Sequence, residues 1–258
     1  MKQMESGIIL KNDEISDRIF AMTIKLPGIA GQCMSGQFVM IYLDRGDMLL
    51  PRPISICDTD KSSGLIHLVY HVVGGGTEHL AGLKPGASLR ALGPLGNGFT
   101  IKDGLKNAAL VGGAVGAAPL LLLLRELSGH GVRTSVFLGF RDASFLGKEF
   151  KALGADVHIA TDSGKEGFHG NVIDLLREQN SAPDEFFACG PKPMLYHLAR
   201  YAKEKNIPCQ VCLEERMACG LGACLGCVAK SAPGLEPETI KVCCEGPVLY
   251  SDAVMLDE

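Results

Sequence analysis

No run of basic residues occurs in the 258-residue chain, and its 25 lysines and arginines are outnumbered by 29 aspartates and glutamates, for a net charge of −4. That balance argues against nucleic-acid binding as a main role, and against attraction to an anionic membrane surface. No apolar block followed by a small-residue cleavage site opens the chain, which begins MKQMESGIILKNDEI. No export leader is therefore expected, and the expected setting is cytoplasmic. No full-length membrane span is visible. The longest stretch without a charged or polar side chain, Ala108 to Leu124, is short for a span and is broken by Gly112, Gly113, Gly116 and Pro119. A buried strand, a glycine turn and an apolar helix account for it better. Internal repeats and low-complexity linkers are also lacking.

What is present is a chain 47% hydrophobic and 21% charged, with ten cysteines. Its length predicts two or three domains. Without an export leader, ten cysteines suggest metal or redox chemistry rather than disulfides.

The first hundred residues carry short apolar runs between turn signals: GQFVMIYL (36–43), PISICD (53–58), LIHLVYHVV (65–73) and ASLRALGPLG (87–96). They predict a small antiparallel barrel or sandwich. From Asn107 strand-like and helix-like segments alternate: ALVGG, PLLLLLRELSG, RTSVFLGF, FLGKEFKALG, ADVHIAT, NVIDLLREQN, EFFACG and PKPMLYHLARYAKEKN. Such alternation predicts βαβ units on a parallel sheet. From Cys209 the chain is dense in cysteine and glycine. The expectation is a multidomain α+β protein: a β-barrel over 1–100, an α/β nucleotide domain over 101–208 and a small cluster domain over 209–258.

In ACGLGACLGC, Cys219, Cys224 and Cys227 give C-x4-C-x2-C, with Cys243 and Cys244 following. This is the plant-type 2Fe-2S spacing. Backbone N–H groups have to approach the sulfurs closely, and Gly220, Gly222, Ala223 and Gly226 leave room for that. Structural zinc is the rival, through Cys209-x2-Cys212 and Cys224-x2-Cys227. Strand alternation in CQVCLEE would place Cys209 with Val211 and Leu213 and turn Cys212 to the other face, and zinc would leave Cys219 and Cys243 without a role. For the fourth ligand, alternation in TIKVCCEG groups Cys244 with Ile240 and Val242, which favours Cys243.

Arg52-Pro53-Ile54-Ser55 sets a phosphate-matching cation and a hydroxyl on a proline-stiffened strand. GGGTEHLAGL (74–83) reads as a glycine turn leading into a helix that Thr77 can cap, a natural pyrophosphate site. In GPLGNGF (93–99), Asn97-Gly98 signals a turn. LVGGAVGAAP (110–119) is strand, turn and helix, which suits dinucleotide phosphates although Val111 breaks the G-x-G-x-x-G fingerprint. ACGP (188–191) falls at the end of the last parallel strand expected, where Cys189 could touch a nicotinamide.

Together these residues resemble the ferredoxin–NAD(P) reductase superfamily, in the order Arg52–Ser55, Gly76-Thr77, Gly112-Gly113 and Cys189-Gly190-Pro191. The tail, with ACGLGACLGC and KVC-x-x-GPV (241–248), is similar to that of the electron-transfer subunits of NAD-dependent dihydroorotate dehydrogenases of bacterial type B. The resemblance spans essentially the whole chain. It implies that Arg52, Pro53, Ile54, Ser55, Val69, Tyr70, His71, Gly76 and Thr77 bind FAD. Gly112, Gly113, Cys189, Gly190 and Pro191 are implied for NAD, and Cys219, Cys224, Cys227 and Cys243 for the 2Fe-2S cluster. Relatives usually carry a third glycine where Ala114 stands, and often Pro-Pro where Ala118-Pro119 occurs. The resemblance implies NAD rather than NADP; of the residues themselves, Arg141 could meet a 2′-phosphate while Asp142 beside it would repel one, so they leave the choice open.

NAD exchanges two electrons as hydride and a 2Fe-2S cluster one at a time, so a flavin between them is expected. The implied partner is an FMN-containing dihydroorotate dehydrogenase catalytic subunit in a hetero-oligomer. Electrons would pass from FMN to cluster, FAD and NAD, with no acid or base of this chain required for catalysis. A reductase serving a hydrogenase, an oxygenase or a ferredoxin is the alternative on the same scaffold. A zinc-stapled interaction module is the alternative outside it.

Overall fold

A computed structural model of the chain describes residues 2–43 and 46–256. The first six strands are β1 (Gln3–Ser16), β2 (Ile19–Lys25), β3 (Phe38–Tyr42), β4 (Arg52–Asp60), β5 (Leu65–His71) and β6 (Ser88–Leu95), closed into a barrel in the order β1-β2-β5-β4-β3-β6. Every pairing in it is antiparallel. Alternation decides the faces. Met22 and Ile24 of β2, Ile54 and Ile56 of β4, and Ile66 and Leu68 of β5 fill the interior. Two short helices belong to this unit, α1 (Pro27–Ala30) and α2 (Gly75–Gly82).

Strands β7 (Asn107–Gly113), β8 (Arg133–Phe140), β9 (Asp156–Thr161), β10 (Phe168–His169), β11 (Glu185–Cys189) and β12 (Cys209–Cys212) form a parallel sheet. The sheet order is β10-β9-β8-β7-β11-β12-β15, where β15 (Val248–Tyr250) adds antiparallel at one edge. Helices α3 (Pro119–Gly129), α4 (Gly147–Ala152), α5 (Val172–Glu178) and α6 (Lys192–Lys205) connect the strands. The apolar stretch from Ala108 resolves into β7, a single 3-10 turn (Ala114–Ala117) and α3, whose leucines 120–124 are all buried. Pro119 opens α3 where a missing N–H costs nothing. A two-stranded ribbon, β13 (Val228–Lys230) with β14 (Thr239–Lys241), completes the fold.

Strands β12 and β15 both come from the segment expected to form the cluster domain, yet both hydrogen-bond into the nucleotide sheet. The cysteine-rich region is thereby tied to that sheet rather than appended to it. It also rests on the barrel, where Phe38, Met40, Leu92 and Leu95 share one core with Cys227, Val242 and Cys243. Helix α3 clamps the barrel from the other side. Arg125 makes a two-pronged pair with Asp58 of β4, Glu126 accepts from the Ser35 N–H and hydroxyl, and Leu122 enters the barrel core.

At the end of β7 the chain turns through Ala114, which adopts φ +49°. A side chain there crowds the following carbonyl, a cost of about 1–2 kcal/mol that glycine escapes. Replacing the alanine, Ala114→Gly, should stabilise the protein by roughly 0.5–1 kcal/mol after glycine's greater unfolded-state entropy is subtracted. A rise in the thermal midpoint, measured on protein of unchanged cofactor content, checks this.

Candidate functional site: two adjoining cavities and a thiol loop

Strands β4 and β5 present residues of both faces at the rim of the barrel, beside a cavity of about 390 Å³. Arg52, Pro53, Ile54, Ser55, Val69, Tyr70, His71 and Thr77 line it, together with Val115, Leu213, Glu214, Met217 and Pro247. Every flavin candidate named from the sequence is therefore in its wall except Gly76, which does something else. A Cβ on Gly76 would lie 2.0 Å from Arg52 Nε, so the guanidinium lies directly on the first turn of α2. A helix N-terminus carries partial positive charge, and a cation held against it makes an electropositive corner that favours a bound anion beside both. The cradle fits the pyrophosphate of FAD.

Thr77 caps the helix from inside rather than from the N-cap position. The helix begins after Gly74, and Thr77 is its third residue, whose side chain reaches back to the Gly74 N–H. Its Oγ1 accepts the N–H groups of Val73 and Gly74 at 2.9 and 3.2 Å and donates to the Gly74 carbonyl. It shapes the turn whose backbone a phosphate would meet. Tyr70 Oη donates to Asn12 Oδ1 at 2.9 Å, and burial pushes its phenol up to about 12, so it stays protonated.

A second cavity, of about 530 Å³, opens at the carboxyl ends of β7, β8 and β9. Gly113, Ala114, Arg141, Asp142, Asp162, Pro191 and Met194 line it. His71 and Val115 line both cavities, so the two adjoin there. This is where ligands of open α/β sheets sit. Of the nicotinamide candidates, Gly113 and Pro191 reach the cavity. Gly112, Cys189 and Gly190 line neither. They pack the floor instead: a Cβ on Gly112 would be 2.9 Å from Ala117 Cα, and one on Gly116 would be 2.4 Å from the Cys189 carbonyl. Cys189 is fully buried beside Cys212 in the neighbouring strand, and that thiol together with burial holds the Cys189 thiol well above its usual range. Asp142 pairs with Lys165 at 2.9 Å, which holds its carboxyl below the usual range.

The sequence reading missed Glu214 and Met217. Glu214 follows β12 directly, at the carboxyl end of a parallel strand, and that position was the available signal. Its side chain is exposed to the first cavity, and desolvation by the protein crowded around it raises its carboxyl above the ordinary range. Met217 lines the same cavity and stands two residues before Cys219.

The four expected ligands lie in one loop region as two pairs. Cys219 lies against Cys224, and Cys243 against Cys227. Backbone N–H groups do reach the sulfurs: Leu221 N–H to Cys219 Sγ at 3.3 Å, Gly222 N–H to Cys243 Sγ at 3.1 Å, and Cys243 N–H to Cys227 Sγ at 3.4 Å. Gly220 and Gly222 have φ of +69° and +81°, and a Cβ on Gly226 would touch Cys224 Sγ at 3.5 Å. The Leu221 N–H chiefly brings the Cys219 thiol down to about 6, whereas burial pushes that of Cys243 up to about 12. Two pairs of thiols with amide donors fit a two-iron cluster, in which each iron takes two protein sulfurs.

Cys243, which the sequence favoured over Cys244, lies beside Cys227, but strand alternation is not what places it there. β14 ends at Lys241, and residues 242–245 form a turn closed by the Cys244 and Glu245 N–H groups on the Lys241 carbonyl. Strand alternation does not apply there. Cys243 is buried against Cys227, while Cys244 is half-buried. The zinc knuckles do not form. Cys209 and Cys212 point into different cores on opposite faces of β12, with Val211 and Leu213 on the Cys209 side as alternation requires. Among the described residues, no group of three or more His, Cys, Asp or Glu could hold a single metal ion.

Comparison with known proteins adds sequence evidence. The iron–sulfur cluster binding domain of dihydroorotate dehydrogenase B matches residues 214–255, and the oxidoreductase FAD-binding domain matches residues 7–99. The dihydroorotate dehydrogenase B (NAD(+)) electron transfer subunit of Listeria monocytogenes is 40% identical, covering 99% of this chain and all of its own. That of Bacillus caldolyticus is also 40% identical, over 94% of this chain and 95% of its own. Among solved structures, the NADH-dependent reduced ferredoxin-NADP oxidoreductase superposes with a TM-score of 0.88 at 29% identity, covering 97% of this chain and 90% of the other. The ferredoxin reductase of carbazole 1,9a-dioxygenase shares the fold, with a TM-score of 0.68 at 18% identity over 80% of this chain and 67% of its own.

The Gly76 contact is testable. Gly76→Ala must displace Arg52 from the α2 N-terminus. Loss of one charge-assisted contact of about 1.5 kcal/mol should weaken FAD retention about tenfold. Flavin released per chain during gel filtration measures it, and the iron content should be unchanged.

Proposed function

The chain belongs to the family of dihydroorotate dehydrogenase B electron-transfer subunits, and on that premise we propose how its residues divide the work. It is a flavin and iron–sulfur oxidoreductase subunit that serves a catalytic dihydroorotate dehydrogenase partner, with NAD as the electron acceptor in pyrimidine biosynthesis. In our reading the working units are residues 1–100, 101–208 and 209–258, with β12 and β15 shared between the last two. Bound FAD supplies the exchange between hydride and single-electron chemistry, and the 2Fe-2S cluster supplies a one-electron relay to the partner.

Arg52 and the α2 N-terminus hold the flavin pyrophosphate, while Pro53, Ile54, Ser55, Val69, Tyr70 and His71 form the wall beside its ring. Gly113, Pro191 and their neighbours in the second cavity receive NAD. Asp142, paired with Lys165, stands in that cavity with Asp162 and Arg141, and the acceptor is taken to be NAD because the family's relatives are NAD(+) enzymes. Glu214 stands in the wall of the flavin cavity, where the surrounding protein raises its carboxyl above the ordinary range. Cys219, Cys224, Cys227 and Cys243 hold the cluster.

The observation that carries this reading is adjacency. The two cavities meet at His71 and Val115, and Met217 of the first cavity stands two residues from Cys219. The nicotinamide and flavin sites therefore adjoin, and the chain passes from the flavin cavity to the first thiol within two residues. Leu221 and Leu225 of that loop are 51% and 65% exposed, and Leu225 is held at φ +56°. Exposed apolar side chains on a strained loop suit a docking rim for the catalytic, FMN-containing partner. Among the described residues no helix is long and apolar enough to cross a membrane, and a cytoplasmic setting is part of the proposal.

Two measurements test it. Cys224→Ser, purified without oxygen, should lose iron and sulfide and stop dihydroorotate-linked NAD reduction while keeping its flavin. NADH oxidation by artificial two-electron acceptors should persist. Loss of both activities with flavin still bound would contradict the order of sites. Separately, Leu225→Lys should weaken assembly with the catalytic subunit by about tenfold or more, read by titration of the two purified subunits.

A further inference from the structure

Five cysteines, not four, surround the cluster loop, and the fifth is placed by the same residue that orders the fourth. Cys243 Sγ accepts the Gly222 N–H at 3.1 Å. Cys244 Sγ lies on the other side of that glycine, 2.7 Å from where a Gly222 Cβ would stand. Gly222 has φ +81°, so no side chain separates the two sulfurs from the loop backbone. In a strand, neighbouring side chains would diverge to opposite faces. Residues 242–245 instead form a turn anchored by the Cys244 and Glu245 N–H groups on the Lys241 carbonyl, with Lys241 N–H held by the Glu245 carboxylate. In that geometry both thiols stay on the loop side.

No packing requirement explains a thiol at 244. The position is half-buried, and it borders the core without filling it. Cys33, Cys57, Cys189, Cys209 and Cys212, by contrast, are fully enclosed.

We infer that Cys244 is a reserve ligand of the cluster, able to replace Cys243 on the iron shared with Cys227. This rests on the ligand set given under Proposed function. The exchange conserves charge and electrons: the iron bond to Cys243 Sγ breaks, one to Cys244 Sγ forms, and the proton leaving the Cys244 thiol ends on Cys243. The iron keeps four sulfur ligands throughout, so the cluster survives loss or chemical blockage of Cys243.

The test uses the full chain co-expressed with its catalytic partner and purified without oxygen. Iron and sulfide per chain and the electron paramagnetic resonance spectrum of the dithionite-reduced protein are recorded for Cys243→Ser, Cys243→Ser/Cys244→Ser and Cys224→Ser. Expected are two irons in Cys243→Ser with shifted g values, and loss of the cluster in the double variant and in Cys224→Ser. Flavin content and the melting midpoint establish folding. If serine at the buried position prevents it, Cys243→Ala, which suits an apolar site, takes its place with the same expectations. Cys243→Ser as iron-poor as Cys224→Ser overturns the inference, and so does a double variant that keeps its irons. A full cluster in Cys224→Ser would instead overturn the underlying ligand set, so the two failures are distinguishable.

Discussion

The register of β12 is the constraint on which the rest of this molecule depends. Cys212 is paired on one side with Cys189 of β11 and on the other with Val248 of β15. A strand hydrogen-bonded on both edges cannot slip without turning every side chain to the wrong face. The point at which the chain leaves the sheet is therefore fixed, and the Leu213 N–H bond to the Pro247 carbonyl extends the pairing one residue further. From that point Leu213, Glu214 and Met217 line the first cavity and Cys219 begins the thiol loop. Residues that lie far apart in a linear reading, Pro247 and Leu213 among them, become one wall.

Much of this was legible in the sequence because it is local. RTSVFLGF and PLLLLLRELSG became strand and helix over their whole quoted lengths, since an apolar run bounded by turn residues leaves few alternatives. C-x4-C-x2-C announced its chemistry by spacing alone. The first strand was harder. QMESGIILKNDEIS mixes carboxylates, lysine and isoleucine because only part of β1 faces the barrel interior, and its pairing with β6 comes from eighty residues downstream. Membership of β12 and β15 in the nucleotide sheet was likewise illegible, because a four-residue strand and a three-residue strand carry no period of their own.

The candidate site was legible in proportion to how far each residue acts through its own side chain. Arg52, Ser55 and the four thiols carry distinctive groups, and they line the flavin cavity or the thiol loop. Cys189 and Gly112 look like ligand contacts in a motif, but they act through size: one lies beneath the floor, the other admits Ala117. Thr77 carries the right hydroxyl and spends it on the turn behind it. Glu214 was missed because a lone glutamate after a strand usually faces open solvent, and only the surrounding β12–barrel junction turns it toward the first cavity. For the same reason Cys243 and Cys244 could not be separated by counting alternate residues, since the strand ends before them.

Helix α3 has a mechanical consequence. Its Arg125 and Glu126 grip β4 and the Ser35 turn, and its Leu122 is embedded in the barrel interior. Swinging the two halves apart would forfeit the Arg125–Asp58 fork and uncover that leucine, at a cost of about 2–5 kcal/mol for the apolar contact alone. The junction thus behaves as a weld rather than a hinge, so the spacing between the hydride-exchanging site and the one-electron site is set when the chain folds, not on each turnover.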